Sequence, residues 1–243
     1  MSTVVPLVYG NFLSQPSRCV LWALRIKDIP FTLVDVQPVK GENESTQFLA
    51  KFPAGVIPAL EDGDLLITEA NAILTYMAQT HHWDDWYPLH DTKQRARIDM
   101  WLHWHHSNMR AITKYCFRPC RKALHKADST GIETSVAEYR EILASFEAGR
   151  PEIDDALTVL NGVLSLRPFV VGDAVTLADM AFYCELDQVA VVGPALYDLQ
   201  PFDAVSRWME RMSRLPHHDA VRQTLIRLAP GIRATAMRAR ASK

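Results

Sequence analysis

Cysteine is scarce in this sequence, and Cys19, Cys116, Cys120 and Cys184 form no Cys-x-x-Cys pair. That argues against a disulfide framework or a zinc site and fits reduced thiols in apolar helical settings. No apolar run approaches the roughly 20 residues that a membrane-crossing helix needs. The opening residues, Met1 to Pro6, lack the charged and apolar regions of a secretory leader, so a cytoplasmic protein with no membrane partner is expected. Nor is there an excess of either charge: 26 basic and 28 acidic residues leave a net charge of −2 with no long single-sign run. An extended nucleic-acid surface is thereby excluded, and any electrostatic site must be local. Internal repeats and low-complexity segments are also missing. What is present is a chain of 243 residues, 48% hydrophobic, able to bury one large core or two smaller ones.

Taken in order, Leu7-Val8-Tyr9 is a short strand that breaks at Gly10-Asn11. After Ser14-Gln15-Pro16 the apolar spacing becomes helical through Cys19, Val20, Ala23 and Leu24. Proline suits a first helical position, so Ser14 sits just ahead of a helix N-terminus whose free N–H groups and dipole favour an anion. Residues 31–36 read as a second strand, parallel to the first. One helical turn is expected near Gln47 to Lys51, followed by a hairpin of residues 56–60 and 65–67 around Gly63. Pro58 places the main chain near Ile57 at an edge or kink, with a cis bond possible. Thr68 then caps a helix with Ile73, Leu74 and Met77 on its inner face.

The spacing predicts a linker within 81–92 and helices from Thr92 onward, interrupted at Phe117-Arg118-Pro119 and at the turn 128–131. Helical spacing resumes over 132–148 and 151–164, and Thr176 with Asp179 forms a capping box ahead of an apolar helix, Met180 to Val192. Two last helices are expected near 201–214 and 217–228. Beyond Pro230-Gly231 a basic tail is expected to be solvated or to act as a lid.

The Ser-Gln-Pro-x-Arg helix start, the Val-Ile-Pro-Ala-Leu hairpin, the Thr-Glu-Ala-Asn-Ala-Ile-Leu helix start and the Gly-Asp-x-x-Thr-Leu-Ala-Asp cap occur in one order. Together they resemble the cytosolic glutathione transferases over nearly the whole chain, and the serine-bearing start with Trp86-Tyr87-Pro88 is most similar to the theta class. The resemblance implies an α/β thioredoxin-like domain at 1–80, a linker at 81–92, an all-α helical domain at 93–243, and a homodimer. It implies an enzyme that takes glutathione as co-substrate and conjugates its thiolate to a small hydrophobic electrophile, with peroxide reduction as a related activity.

Carried onto this chain, the resemblance makes Ser14 the hydroxyl facing the glutathione sulfur. Gln15, Val56, Ile57, Pro58, Glu69 and Ala70 then line the tripeptide, and Trp104, Met109 and Arg110 the electrophile pocket. No metal is expected, although His103, His105 and His106 share one helix. Three positions depart from the family: Ala70 replaces a serine, and Asn43 and Val56 stand where theta proteins carry histidine and lysine. Lys40, Lys51, Gln15 and Arg110 are the nearby groups that compensate in this reading. Ser17 is expected to face solvent or backbone, and Cys19 to be a buried structural thiol. Those departures also support an alternative, a transferase-like fold used as a non-catalytic binding or assembly module. A zeta-type isomerase fits less well, because Ser14-Gln15-Pro16-Ser17 lacks that class's two serines and cysteine.

Overall fold

The computed structural model describes residues 5–243; Met1 to Val4, with which the first expected domain begins, lie outside the described residues. Strand β1 (Leu7–Gly10) pairs in parallel with β2 (Thr32–Asp35) and antiparallel with β3 (Ala59–Asp62). Strand β4 (Leu65–Thr68) completes a sheet of order β2-β1-β3-β4. Helix α1 (Gln15–Ile26) is the crossover between the parallel strands, a short α2 (Thr46–Lys51) precedes β3, and α3 (Ala70–Thr80) follows β4. The hairpin turns at Gly63, whose positive φ of 63° suits glycine. Its first strand begins later than expected, at Ala59, while the second begins at Leu65 as expected, so Val56, Ile57 and Pro58 precede the ladder and keep their peptide groups out of it.

Every residue of α1 from Cys19 to Leu24 is buried. A helix that is apolar all round must be covered all round. Helix α3 covers one side of α1, and α7 (Leu177–Val192) with α9 (His218–Ala241) covers the other. One continuous core therefore joins the sheet-bearing and helical parts.

The helical part begins with α4 (Thr92–Trp104), which runs through two wide-turned, π-helical stretches, His105–Met109 and Ile112–Phe117, into α5 (Arg118–Thr130). The expected break at Phe117-Arg118-Pro119 is thus a change of helical pitch, with Pro119 tolerated in the first turn of α5. Helix α6 (Val136–Leu166) is likewise continuous where a break between 148 and 151 was expected. Pro151 lies inside it, and the buried stripe Ile142, Phe146, Ile153 and Leu157 carries packing across the lost backbone bond. Helix α8 (Asp203–Ser213) lies between α7 and α9 in the chain.

The basic tail is helical: α9 continues past Pro230-Gly231 and buries Ile232, Ala236 and Ala239 on one face, while Arg233, Arg238, Arg240 and Lys243 stay exposed, as expected of a solvated tail. Gly231 is needed there: a Cβ would fall 2.9 Å from the Leu124 side chain of α5. Arg233 donates to the carbonyls of Val191 and Ala190 at the end of α7, the helix terminus that favours a cation. No helix of the described residues is long and apolar enough to cross a membrane.

Asp179 fastens the start of α7. Its Oδ1 accepts from the Val170 amide and the Trp208 indole, each at 2.9 Å, while Oδ2 accepts from the amide and hydroxyl of Thr176. Burial raises its pKa, and those four hydrogen bonds oppose the rise. Replacing Asp179 by alanine strands four buried donors, and a stability loss of about 3–5 kcal/mol is expected in denaturant titration. A loss below about 1 kcal/mol would show that water can take over the cap.

Candidate functional site

The loop between β1 and α1 is folded by its own short side chains. Asn11 is buried, accepts on Oδ1 from the amides of Leu13 (3.0 Å) and Ser14 (2.8 Å), and donates through Nδ2 to the Val36 carbonyl at 2.6 Å. Such an Asx turn sets the direction in which the chain enters the helix. Ser14 is the N-cap of α1, and its Oγ accepts from the Ser17 amide at 3.4 Å and the Ser17 hydroxyl at 3.0 Å. A serine hydroxyl has two acceptor sites and one donor, so both bonds leave the Ser14 hydrogen free. Contrary to the expectation that it faces solvent or the backbone, the Ser17 hydroxyl is fully buried and bonds the Ser14 hydroxyl. Gly10 makes room for it, since a Cβ there would stand 2.7 Å from the Ser17 Oγ.

Arg18, only 1% exposed, holds the same loop from beneath. One guanidinium nitrogen donates to the carbonyls of Phe12 and Leu13, each at 3.2 Å, and the other to the Cys184 carbonyl of α7 at 3.1 Å. Asp187 lies 3.9 Å away as counter-charge and is itself gripped by Arg222 of α9.

Two adjoining cavities open above this loop. The first, about 380 Å³, is lined by Gln15, Ile57, Pro58, Glu69, Ala70 and Val56, all of them anticipated, together with Asn43, Asn71, Cys19, His105 and His106. The second, about 280 Å³, is lined by Ser14, Leu13, Val39 and Phe117. Gln15, Pro16, Ile57, Arg110 and Arg118 border both, so Ser14 lies beside the seam.

The Ile57–Pro58 bond is cis. Glu69 rather than Thr68 is the N-cap of α3, because Thr68 remains paired in β4. Its φ of 71° is rare for a residue with a side chain, and its carboxylate makes no capping bond, which leaves that group free at the cavity. Asn71 donates to the Leu102 carbonyl at 3.0 Å and ties this helix start to α4.

Arg110 lies between the two wide-turned stretches of the α4–α5 rod and bonds the Gln15 side chain and the Glu185 carboxylate, the latter at 3.1 Å. Glu185 is fully buried and also accepts from the Thr113 amide at 2.9 Å. Burial raises its pKa, against the lowering influence of Arg110 and Thr113. The other two residues expected at the electrophile pocket are elsewhere. Met109 is fully buried in the core, and Trp104 stacks face to face on Phe182 at 5.9 Å; neither lines either cavity. Lys51 and Lys40 are also diverted, to Glu61 and Glu42. Tyr9 donates to Glu61 on the sheet and lines neither cavity. Cys19 is a free thiol that shares a hydrogen bond with the free thiol of Cys184 and is buried, both of which push its pKa well up.

His105 was missed as a cavity residue. It is 4% exposed and borders the first cavity; neither ring nitrogen makes a hydrogen bond of full geometry among the described residues, the Ala181 main chain offering only a weak contact that slightly opposes the fall in its pKa. Burial, with the Arg110 charge, draws its pKa down to about 3, so the ring is neutral at physiological pH. The spacing Ile98, Leu102, His105, Met109 puts it on one buried stripe of this helix, and what that spacing does not show is the cavity that opens beside it.

Comparison with known proteins places this geometry. Residues 6–79 match the family described as "Glutathione S-transferase, N-terminal domain", and residues 113–216 its "C-terminal domain". Human glutathione S-transferase theta-1 is 32% identical over 207 residues, covering 84% of this chain and 81% of its own. Human theta-2 is 33% identical over 207 residues, covering 84% and 79%. The solved structure of human glutathione transferase theta-2 in complex with glutathione superposes with a TM-score of 0.77 at 27% identity, covering 96% of this chain and 98% of that one.

Exchanging Arg18 for methionine keeps the apolar stem but leaves three carbonyls without donors. A stability loss of about 3 kcal/mol is expected, with faster amide hydrogen exchange at Leu13 and Ser14. Unchanged exchange would show that Asn11 alone holds the loop.

Proposed function

This chain belongs to the glutathione S-transferase family, an enzyme with glutathione as its co-substrate, and from that premise we propose how its own residues act. Residues 1–80 serve as the glutathione-binding domain, 81–92 as linker and 93–243 as the helical domain. Glutathione lies along the first cavity with its sulfur at the seam, where the Ser14 hydroxyl donates to it. Ile57 offers its main chain to the cysteinyl unit, while Glu69 and the Ala70 amide take the γ-glutamyl end. The enzyme reading sets aside the non-catalytic module.

The observation that carries this proposal is the Ser17-to-Ser14 bond, which leaves the Ser14 hydrogen free beside a helix N-terminus. A free thiol of pKa about 8.5 is only a few per cent ionised at neutral pH. A hydrogen bond to the charged sulfur contributes about 1.5–3 kcal/mol, and the helix end about 0.3–1 kcal/mol. At about 1.4 kcal/mol per pKa unit, the bound thiol falls by one to three units. The thiolate then attacks a small electrophile in the second cavity. A carbon–sulfur bond forms, the leaving group departs with its bonding pair, and the thiol proton goes to solvent. With an organic hydroperoxide the sulfur instead takes the terminal oxygen as the O–O bond breaks and the alkoxide leaves to become the alcohol, and a second glutathione displaces the sulfenic oxygen as water to complete the disulfide. The protein acts as a cytoplasmic homodimer in this reading.

Ala70 offers no hydroxyl to the γ-glutamyl carboxylate. His105 lies on the same cavity with neither nitrogen in a hydrogen bond of full geometry, and it supplies the missing polar contact. Neutral imidazole can give one hydrogen bond and take another.

Two outcomes follow. In Ser14→Ala the bound thiol's pKa rises by one to two units in ultraviolet titration, and conjugation at slightly acid pH falls about 10- to 100-fold while glutathione affinity changes little. A wild-type complex with an unshifted thiol would overturn the mechanism. In His105→Leu the ligand-free protein keeps its stability or gains about 1 kcal/mol, since an unsatisfied buried polar group is gone, yet calorimetric affinity for glutathione drops about tenfold. Unchanged affinity would make His105 a core residue only.

A further inference from the structure

The second cavity is cationic. Arg110, Arg118 and Arg121 line it, and no aspartate or glutamate does. Arg110 is compensated by Glu185 at 3.1 Å. The other two are not: among the described residues neither Arg118 nor Arg121 forms an ion pair. Arg121 is half-buried, and its Nε is shielded from solvent with no partner. Burial lowers its pKa, opposed by the through-space charge of Asp128 on the same helix. A guanidinium is planar, permanently charged and shaped to grip a carboxylate through two parallel bonds. Two such groups one turn apart on α5, facing apolar walls made by Leu13, Val39 and Phe117, match an amphiphile with an apolar body and an acidic end.

We propose that the electrophile is an anion, its carboxylate or like group held by Arg118 and Arg121 while its reacting carbon meets the glutathione sulfur at the seam beside Ser14. This rests on the glutathione-site reading above and narrows the small hydrophobic electrophile to one with an acidic end remote from the reacting carbon. Glutathione's own carboxylates are a rival use for Arg118, which borders both cavities. The test must therefore hold the tripeptide constant.

Two S-alkyl glutathione conjugates of equal chain length serve, one ending in a carboxylate and the other in the isosteric primary amide. Their dissociation constants are measured by calorimetry with the full-length protein. The carboxylate is expected to bind about tenfold tighter than the amide, with a preference that shrinks as ionic strength rises. In Arg118→Gln/Arg121→Gln the ratio falls to near one, and in the exposed single variant Arg118→Gln it falls part of the way. Amide binding by each variant reports that the site is still folded. Equal binding by the wild type, or a ratio that survives in the double variant, overturns the proposal. If glutathione and both conjugates fail to bind the wild type, the glutathione-site reading falls first and this proposal falls with it.

Discussion

A guanidinium can be buried only if its donors are filled and its charge is answered, and Arg18 meets both conditions with groups from two parts of the chain. Its acceptors are the loop carbonyls of Phe12 and Leu13 and the Cys184 carbonyl of α7, and its counter-charge, Asp187, is held by Arg222 of α9. The loop that presents Ser14 therefore cannot settle until α7 and α9 are in place. Asn11 shapes the loop from above and Arg18 from below, so the hydroxyl is preorganised before any ligand arrives. In this sense the loop that leads into α1 is built by helices far along the chain.

Around that anchor the charges are arranged by neighbourhood. Glu185, buried and hydrogen-bonded to Thr113, answers Arg110, which in turn fixes Gln15 at the first turn of α1. The first cavity sets the Glu69 carboxylate and the neutral His105 ring beside Arg110 and Arg118, whereas the second has those two arginines and Arg121 with no carboxylate. The two ends of the seam thus differ in electrostatic character, although the chain as a whole is nearly neutral.

Local chemistry made much of this legible in the amino-acid order. Proline after Ser14-Gln15 marked a helix start, the alternation at 31–36 a strand, and Thr176 with Asp179 a cap, and each of those signals depends on near neighbours alone. Gln15, Ile57, Pro58, Glu69 and Ala70 do meet at one cavity. What was not legible depends on distant packing. Pro151 and Pro230 read as breaks because their own backbones lose a hydrogen bond, and only the buried stripes on either side keep α6 and α9 whole. Glu69 adopts a backbone conformation that no side-chain preference predicts. Trp104 and Met109 share the rod with Arg110, but Met109 stays on the buried stripe of Ile98 and Leu102, and Trp104 is drawn onto Phe182 of α7, a contact between helices that spacing along one helix does not show; the pitch changes only after Trp104.

That change of pitch makes register a determinant of recognition. Each wide turn holds about one residue more than an ordinary turn, and one residue corresponds to a rotation of about 100° around the axis. Arg110 falls between the two wide turns and Arg118 and Arg121 fall after both, so the cavity's cations are aimed by accumulated rotation as much as by their positions in the chain. Gain or loss of a single residue between His105 and Phe117 would swing α5's arginines to another face with every lining side chain still present.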